Sequence, residues 1–461
     1  MFTFDINNNR YNHIHFIGIG GISMSGLAEL MKSKGCQVSG SDSKASALTQ
    51  HLEEIGIKVS IGHDKENIQG ADLVIYTDAV SLDNPELKGA IREKIDVVDR
   101  ASFLGALMRN YKKSIAVSGT HGKTTTTSMI TSTIVDDPSE PTILLGGSLE
   151  KIHGNIRVGK DDFFLTEACE YRANVLKYFP TTAIVLNIDE DHLDYFDNMN
   201  HIIETFDGYV KNLKEDDFLI LNIDDEYAAL MKERTKANVV TVSIKEDAEF
   251  QGKNIQLDEN GLPSYDLYIE GKKMASVSLK VMGIHNVSNS LCAIAACYKN
   301  GISLEQCIQG VESYTGVHRR LEYKGTKNEI RVIDDYAHHP TEILSTLHAL
   351  KPTAEKRLIC IFQPHTFTRT KLLLDSFSKS FNEADLAIIT DIYAAREKDY
   401  GDIHSKTLVD AIQSTGCNAM YLSTHDEVLN YIKENAQAGD LVVTLGAGDV
   451  YTIGERYLEE N

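Results

Sequence analysis

The chain has no run approaching ~20 uninterrupted apolar residues, so no transmembrane helix is expected. Its first residues, with Asp5 and Arg10, lack the apolar core of a secretory signal, and no leader is expected. Cations are scarce. Lys and Arg total 46 against 67 Asp and Glu, a formal net charge of −21 in 461 residues. That balance argues against nonspecific binding to nucleic acid or to an anionic membrane face. It leaves room for a phosphorylated ligand, because an anion site is local and a glycine turn brings its own backbone donors. There is no C-x-x-C among the seven cysteines, an odd number. Cys169, Cys292, Cys297 and Cys360 sit in apolar runs and are expected to be reduced core residues of a cytoplasmic protein. Repeats of 20–50 residues and low-complexity tracts are absent as well. The length gives a prior of about three domains at ~150 residues each.

What is present centres on Ser114–Thr127, which reads S-I-A-V-S-G-T-H-G-K-T-T-T-T. A short apolar strand, Ile115–Val117, turns through Gly119 and Gly122 and leads into a helix from Lys123. Such a turn lets backbone N–H groups converge on an anion, and the helix start adds positive dipole character. Lys123 is placed to reach the outer phosphates of a nucleotide, and a hydroxyl at Thr124 or Thr125 to ligate Mg²⁺. Val117 stands where the general pattern G-x-x-x-x-G-K-[ST] has its first glycine, so only the short form G-x-x-G-K-T is present. The bland alternative is a tight strand–helix turn with a surface lysine.

Before this stretch, His13–Ile17 reads as a strand followed by G-I-G-G-I-S and an apolar helix. Gln37–Ser39 reads as a second strand, closed by Gly40-Ser41-Asp42. A glycine-rich first turn with an acid about 20 residues on is the layout of a dinucleotide site. Asp42 either binds a ribose or base or caps the next helix. Lys58–Ile61 and Leu73–Tyr76 continue the strand pattern, the latter leading on to Asp83-Asn84-Pro85-Glu86. His63 falls just past a strand end, where a ligand-binding and a structural role both remain open.

After the glycine turn, the strands expected at Asp161–Leu165, Thr182–Asn187 and Phe218–Asn222 each deliver acids at their carboxyl ends. Mg²⁺ takes hard oxygen ligands and shares them with phosphates. Glu167 and Asp189 are candidate metal or water-holding groups, and His192 a less usual one; the alternative is loop residues and helix caps. Residues 240–280 turn β-rich, with alternation at Tyr265–Ile269 and Ser276–Lys280. Asn286 and Asn289 then share a helix face and either read an adenine edge or cap the helix. Thr315-Gly316-Val317 reads as a linker into the basic cluster His318-Arg319-Arg320. Strands at Ile330–Ile333, Leu358–Phe362, Ala387–Thr390 and Leu441–Leu445 indicate a second doubly wound domain. Its strand ends carry Asp335, His338, His339, His365 and Arg369, groups that suit a carboxylate or phosphate, with capping and packing as the alternative for the two histidines.

Taken together, these strings resemble the Mur ligases, ATP-dependent enzymes that build the peptide of bacterial cell-wall precursors. The resemblance spans the chain: G-I-G-G-I-S-M-S-G-L-A, D-N-P-E, G-T-H-G-K-T-T, N-I-D-E-D-H-L-D, G-I-H-N-V-S-N, G-V-H-R-R-L-E, D-D-Y-A-H-H-P-T-E, F-Q-P-H-T-F-T-R-T and G-A-G-D. It implies an α/β fold of three domains. Residues 1–113 would be a Rossmann-like UDP-sugar domain, 114–317 a central P-loop ATP domain, and 318–461 a Rossmann-like amino-acid domain. Gly18, Gly20, Gly21, Ser23, Met24, Ser25, Asp42 and His63 would serve the UDP-sugar. Gly119, Thr120, His121, Gly122, Lys123, Thr124 and Thr125 would hold the ATP phosphates, Asn286 and Asn289 the adenine, with Arg319 reaching the phosphates. Thr124, Glu167 and His192 would surround Mg²⁺, and His338, His339 and Arg369 the amino acid. Lys123, His192 and His339 are the residues expected to act in catalysis. Two positions depart from the family's common pattern: Ser23 replaces a third glycine, and Thr366 an arginine after F-Q-P-H.

The D-D-Y-A-H-H-P and F-Q-P-H strings point to the branch that joins L-alanine to UDP-N-acetylmuramate, and to its relative that adds a whole tripeptide to the same nucleotide sugar. A monomer or homodimer is expected. Two other classes compete: a nicotinamide-dependent oxidoreductase, built on residues 18–42, and an ATP-driven switch without a covalent product.

Overall fold

The protein is described from a computed structural model, covering residues 2–7, 10–395 and 397–460. It divides into two compact units. The first comprises Met1–Ile188, Ile203–Val242 and Cys292–Val311; the second Asp189–Ile202, Ser243–Leu291 and Glu312–Asn461.

The first unit holds two parallel-rich sheets. In one, β1 (His13–Ile17), β2 (Gln37–Asp42), β3 (Lys58–Ile61), β4 (Leu73–Tyr76) and β5 (Asp96–Asp99) run parallel in the order β3-β2-β1-β4-β5. Chain order reverses beside β1, which opens a crevice at its carboxyl end, at the Gly18 turn. β2 runs three residues past the expected Ser39 and takes Gly40, Ser41 and Asp42 into the sheet. All of β1 is buried, as a strand covered by helices on both faces must be.

The other sheet is formed by β6 (Lys113–Ser118), β7 (Thr142–Leu149), β8 (Gly154–Arg157), β9 (Phe163–Glu167), β10 (Thr182–Val185), β11 (Phe218–Asn222) and β12 (Asn238–Ser243). Their order is β12-β11-β10-β6-β9-β7-β8, with only β8 antiparallel to its neighbour. The strand that feeds the glycine turn, β6, therefore lies between β10 and β9. β9 is displaced from the expected Asp161–Leu165 and ends on Glu167 itself, while β10 stops at Val185 rather than Asn187. The two sheets dock through close backbone approach. A Cβ on Gly105, in the helix Arg100–Met108, would stand 1.8 Å from the Lys177 carbonyl oxygen. A Cβ on Gly26, in the helix Ile22–Ser33, would stand 2.5 Å from Leu144. Asn155 Nδ2 donates to the Ile22 carbonyl (2.5 Å), and Lys177 pairs with Asp99 (2.8 Å).

The second unit holds an antiparallel meander, β13 (Phe250–Leu257), β14 (Pro263–Ile269) and β15 (Lys272–Ser278). The alternation at 276–280 is thus mostly the end of β15, which starts four residues earlier. The same unit holds β16 (Glu322–Lys327), β17 (Ile330–Asp335), β18 (Leu358–Phe362), β19 (Leu386–Ile389), β20 (Ala419–Tyr421) and β21 (Leu441–Leu445). Their order is β16-β17-β21-β18-β19-β20. This last sheet is not wholly parallel: β16 is an antiparallel edge joined to β17 by a short turn. Apolar layers cover both faces, one around Phe362, Phe377 and Leu408, the other around Ile361, Val428 and Tyr457.

None of the seven cysteines is in a disulfide; Cys292, Cys297 and Cys360 are buried as expected, whereas Cys169 is only partly so, because it lies past the end of β9. Among the described residues no helix is long and apolar enough to cross a membrane.

Candidate active site

At the end of β6 the chain turns through Gly119 (φ +129°) and Gly122 (φ +83°) into the helix Lys123–Ile134. A side chain at 119 would press on Leu186 and the Asn187 backbone at 3.0–3.1 Å, besides adopting a left-handed φ. Gly122 is the helix N-cap and no side chain caps it, which leaves the first-turn N–H groups to a ligand. Asn187 shapes the turn. Its backbone carbonyl accepts from Thr120 N–H (3.1 Å), its Oδ1 from His121 N–H (2.8 Å), and its Nδ2 donates to the His121 carbonyl (3.1 Å).

Lys123 Nζ folds over this turn, donating to the carbonyls of Gly119 (2.5 Å) and Thr120 (2.9 Å) and pairing with Glu170 at 3.0 Å. Burial alone would lower the ammonium's pKa, but the Glu170 carboxylate more than offsets it and holds it at about 12. The lysine is therefore cationic at neutral pH. Thr124 Oγ1 donates to Glu167 Oε2 (3.2 Å), and Gly146 N–H on β7 donates to Glu167 Oε1 (2.8 Å). Glu167 is held so closely that a Cβ on Gly146 would collide with its carboxylate at 2.7 Å. A hydroxyl and an oriented carboxylate at the mouth of a phosphate turn are hard oxygen donors, and so fit Mg²⁺. Thr125 sits one residue further on and is half-buried.

In the first sheet, Gly18 (φ +81°) and Ile19 donate to the Ser41 carbonyl (2.8 and 3.0 Å), and Gly20 N–H donates to Asp42 Oδ2 (2.9 Å). Asp42 thus ties the turn and does not cap the next helix, whose cap is Ser46. Gly21 is the N-cap of the helix Ile22–Ser33, again without a side-chain cap. Ser23 Oγ meets Arg100 Nη1 at 3.4 Å, so the residue in place of a third glycine links the turn to a cation. Met24 and Ser25 are turned into the core at 1 % and 3 % exposure and support the turn from below. His63 Nδ1 lies 3.1 Å from Ser41 Oγ.

In the second unit, Arg369 Nε and Nη2 both donate to Asp191 Oδ1 (3.1 and 3.0 Å), in a setting only 11–12 % exposed. Burial would push the Asp191 carboxyl up; His192 and Arg369 override it and hold it well below the usual carboxylate range. His192 (φ +56°) has its Nε2 3.8 Å from Asp191 Oδ2. His339 is the N-cap of the helix Pro340–Leu350: its Nδ1 accepts from Thr341 N–H (3.3 Å), so Nε2–H donates to the Glu190 carbonyl (2.8 Å). Thr341 Oγ1 donates to Asp189 Oδ2 (2.6 Å). His338 Nδ1–H donates to the Tyr336 carbonyl (2.9 Å), and its ring stands 5.7 Å from that of His365, which contacts Arg369 at 3.3 Å. Capping is thus real for His339 but not for His338. The other departure, Thr366, caps the helix Phe367–Leu372 that carries Arg369, its hydroxyl accepting from Arg369 N–H (3.4 Å).

Arg319 is engaged within its own sheet. It pairs with Asp334 (3.0 Å), donates to the Gly448 and Gly446 carbonyls (2.8 and 2.6 Å) and lies over the Tyr336 and Tyr451 rings. Asn286 and Asn289 are buried and bonded to each other (2.9 Å), with Asn286 Nδ2 donating to the Met282 carbonyl (2.7 Å). The residues that sequence reasoning left without a role are Glu170, Asn187, Gly146 and Asp191. Asn187 and Asp191 stand inside the string N-I-D-E-D-H-L-D, and Glu170 follows Glu167 by three residues; nothing local marks Gly146, which β7 delivers from 21 positions before Glu167.

Burial pushes His338 down to about 4. An unfolded histidine takes its proton near pH 6.5, so the unfolded state binds more protons between about pH 6.5 and 4, and stability falls as pH drops through that window. The full effect is up to ~3 kcal/mol. Asp335, pushed up to about 6, works in the opposite sense. The comparison to make is therefore with His338→Gln: between pH 6.5 and 4.5 its melting temperature should fall a few degrees less than that of the wild type. Parallel melting curves would remove His338 from the acid sensitivity.

A glycine turn between parallel strands, a lysine aimed over it and a hydroxyl–carboxylate pair beside it define a P-loop nucleotide-dependent enzyme, here with an α/β domain on either side in sequence. Family models for the "Mur ligase family, catalytic domain", the "Mur ligase middle domain" and the "Mur ligase, glutamate ligase domain" match residues 13–112, 117–297 and 319–448. A UDP-N-acetylmuramate–L-alanine ligase of Acetivibrio thermocellus is 48% identical over 98% of this chain and 97% of its own. The crystal structure of the UDP-N-acetylmuramate-alanine ligase MurC of Thermotoga maritima matches with TM-score 0.80 at 30% identity, over 97% of this chain and 98% of its own. That of a murein peptide ligase from Psychrobacter arcticus matches with TM-score 0.72 at 27% identity, over 97% and 98%. The chain belongs to the Mur ligase family.

Proposed function

We propose that the protein joins L-alanine to the carboxylate of UDP-N-acetylmuramate, at the expense of ATP, in peptidoglycan precursor synthesis. The observation that carries this reading is that identity of 48% to a ligase of that name runs over 98% of the chain, through all three domains. The roles follow the division 1–113 for the UDP-sugar, 114–317 for ATP and 318–461 for the amino acid.

A carboxylate is a poor acyl donor because oxide is a poor leaving group. The muramate carboxylate oxygen attacks the γ-phosphorus of ATP, and the bond to the bridging oxygen breaks. The products are an acyl phosphate and ADP. Lys123 leaves the turn's own carbonyls for the phosphates and offsets the charge that builds there. Thr124 and Glu167, with His192 in the surroundings, would hold Mg²⁺, which when bound neutralises phosphoryl oxygens. The free amine of L-alanine then attacks the acyl carbon, the amide forms, phosphate leaves and the nitrogen gives up a proton. Arg369, oriented by Asp191, is assigned to the alanine carboxylate, and His338 and His339 to its surroundings. Gly18, Gly20 and Gly21 offer backbone to the diphosphate, with Asp42 and His63 beside them. Asn286 and Asn289 are assigned to the adenine. Arg319 reaches phosphate only by releasing its present carbonyl partners. The reaction is assigned to the cytoplasm, and the protein to a monomer or homodimer.

The test is phosphate release with UDP-N-acetylmuramate and ATP, comparing acceptors. L-Alanine should support turnover, and the L-Ala-γ-D-Glu-meso-diaminopimelate tripeptide should not. Turnover with the tripeptide alone would make the protein a recycling ligase. Hydrolysis of ATP indifferent to the nucleotide sugar would make it a switch.

A further inference from the structure

Beneath the Gly18 turn a line of polar side chains leads to His63, and of its members only His63 has a role in the steps above. Ser39 Oγ on β2 meets two histidines of β1, His13 Nε2 at 2.7 Å and His15 Nδ1 at 2.8 Å. His15 is 1% exposed, and its Nε2, without a hydrogen-bond partner, faces Glu86 Oε2 at 3.7 Å. Glu86 is the acid of the D-N-P-E string, fully buried in the first turn of the helix Pro85–Glu93. Its Oε1 accepts from Asn67 Nδ2 and its Oε2 from Ser41 Oγ, both at 2.5 Å. Past Ser41 stands His63, whose Nδ1 is 3.1 Å from Ser41 Oγ and 3.4 Å from Glu86 Oε2.

The direction of these bonds follows from what each group can donate. A carboxylate only accepts, and Ser41 has a single hydroxyl hydrogen. That hydrogen goes to Glu86, so towards His63 the Ser41 oxygen can only accept. The proton of the His63 ring is therefore on Nδ1, and Nε2 is left as an acceptor. Burial would push the Glu86 carboxyl up, but His15, Ser41 and Asn67 outweigh it and hold it at about 2, so Glu86 is an anion across the physiological range. A purely structural filler would not need an anion here, since burying one is costly unless every neighbour turns a hydrogen towards it.

We propose that Glu86 is a positioning residue for the nucleotide sugar: acting through Ser41 and through its own contact with Nδ1, it fixes the His63 tautomer so that Nε2 accepts a hydrogen bond from a hydroxyl or imide N–H of the uridine. This rests on the reading that the first domain holds the UDP-sugar. Glu86 touches no ligand; its effect passes entirely through His63. Glu86→Gln presents an amide whose NH₂ can donate to Ser41, which frees the serine hydrogen for His63 Nδ1 and moves the ring proton to Nε2.

The test measures UDP binding by calorimetry in wild type, Glu86→Gln, His63→Ala and the double variant, with melting curves for each. Glu86→Gln should weaken UDP binding about tenfold, the scale of one lost hydrogen bond to a site that cannot re-pair. The KM for ATP should be unchanged, and in the His63→Ala background the same substitution should have no further effect. The ¹⁵N shifts of the His63 ring should exchange between Nδ1-protonated and Nε2-protonated values. Ser41→Ala leaves only the 3.4 Å contact of Glu86 Oε2 with His63 Nδ1, should lose part of the affinity and only while His63 is present, and serves in place of Glu86→Gln if that variant does not fold. Equal weakening in both backgrounds, or an unmoved ¹⁵N pattern, would overturn the proposal and leave Glu86 a packing residue. A wild type that turns over with L-alanine but shows no affinity for UDP would overturn the domain assignment itself.

Discussion

Lys123→Ala is expected to lower phosphate release by at least ~10³-fold, because the phosphoryl group in flight loses its fixed cation. The same substitution should destabilise the ligand-free protein. Glu170, at 2 % exposure, pairs with the Lys123 ammonium at 3.0 Å and would lose that cation. Breaking a buried pair from one side costs about 3–5 kcal/mol, much of it the stranded charge. The two consequences separate in a second variant. Lys123→Ala with Glu170→Gln should recover most of the melting temperature and none of the activity. Wild-type turnover in Lys123→Ala would remove the glycine turn from the chemistry. Loss of activity restored together with stability would make the lysine structural.

Arg369→Ala is expected to raise the KM for L-alanine about 100-fold and to lower the stability of the second unit by about 3–5 kcal/mol. Two guanidinium nitrogens converge on one oxygen of Asp191, a carboxylate with almost no access to water. Asp191→Asn removes the charge and should cost less stability, yet it leaves the guanidinium poorly aimed, so the alanine KM should still rise. Lysine at 369 keeps a charge but not the planar fork, and should fall between the two. The assignment of Arg369 to the amino acid is refuted if alanine KM is unchanged in both variants while the melting temperature drops. Thr366 bears on the same site, since its hydroxyl caps the helix that presents Arg369.

The strand–turn–helix at 113–134 and the Gly18 turn were legible because glycine spacing, an apolar run and a following helix are local features, and local features survive in a linear reading. The acids at the ends of β9 and β11 were legible for the same reason: β11 ends at Asn222 as expected, and β9 ends two residues beyond the expected Leu165. Short edge strands such as β5, β8 and β20 carry too few residues to show a period. The parallel C-terminal sheet acquired an antiparallel edge that no composition announced.

Sequence alone determined that this is an acidic, three-domain α/β protein with a P-loop in the middle and histidines and arginines at the strand ends of its last third. Tertiary structure decided which partner each of those groups received. Glu170 meets Lys123 from 47 positions away, Arg369 meets Asp191 from 178, and Glu86 meets Ser41 from 45. Pairing at that range is set by strand order and sheet register, and whether a buried charge is anchored or stranded depends on the pairing; neither is written in the neighbourhood of the residue itself.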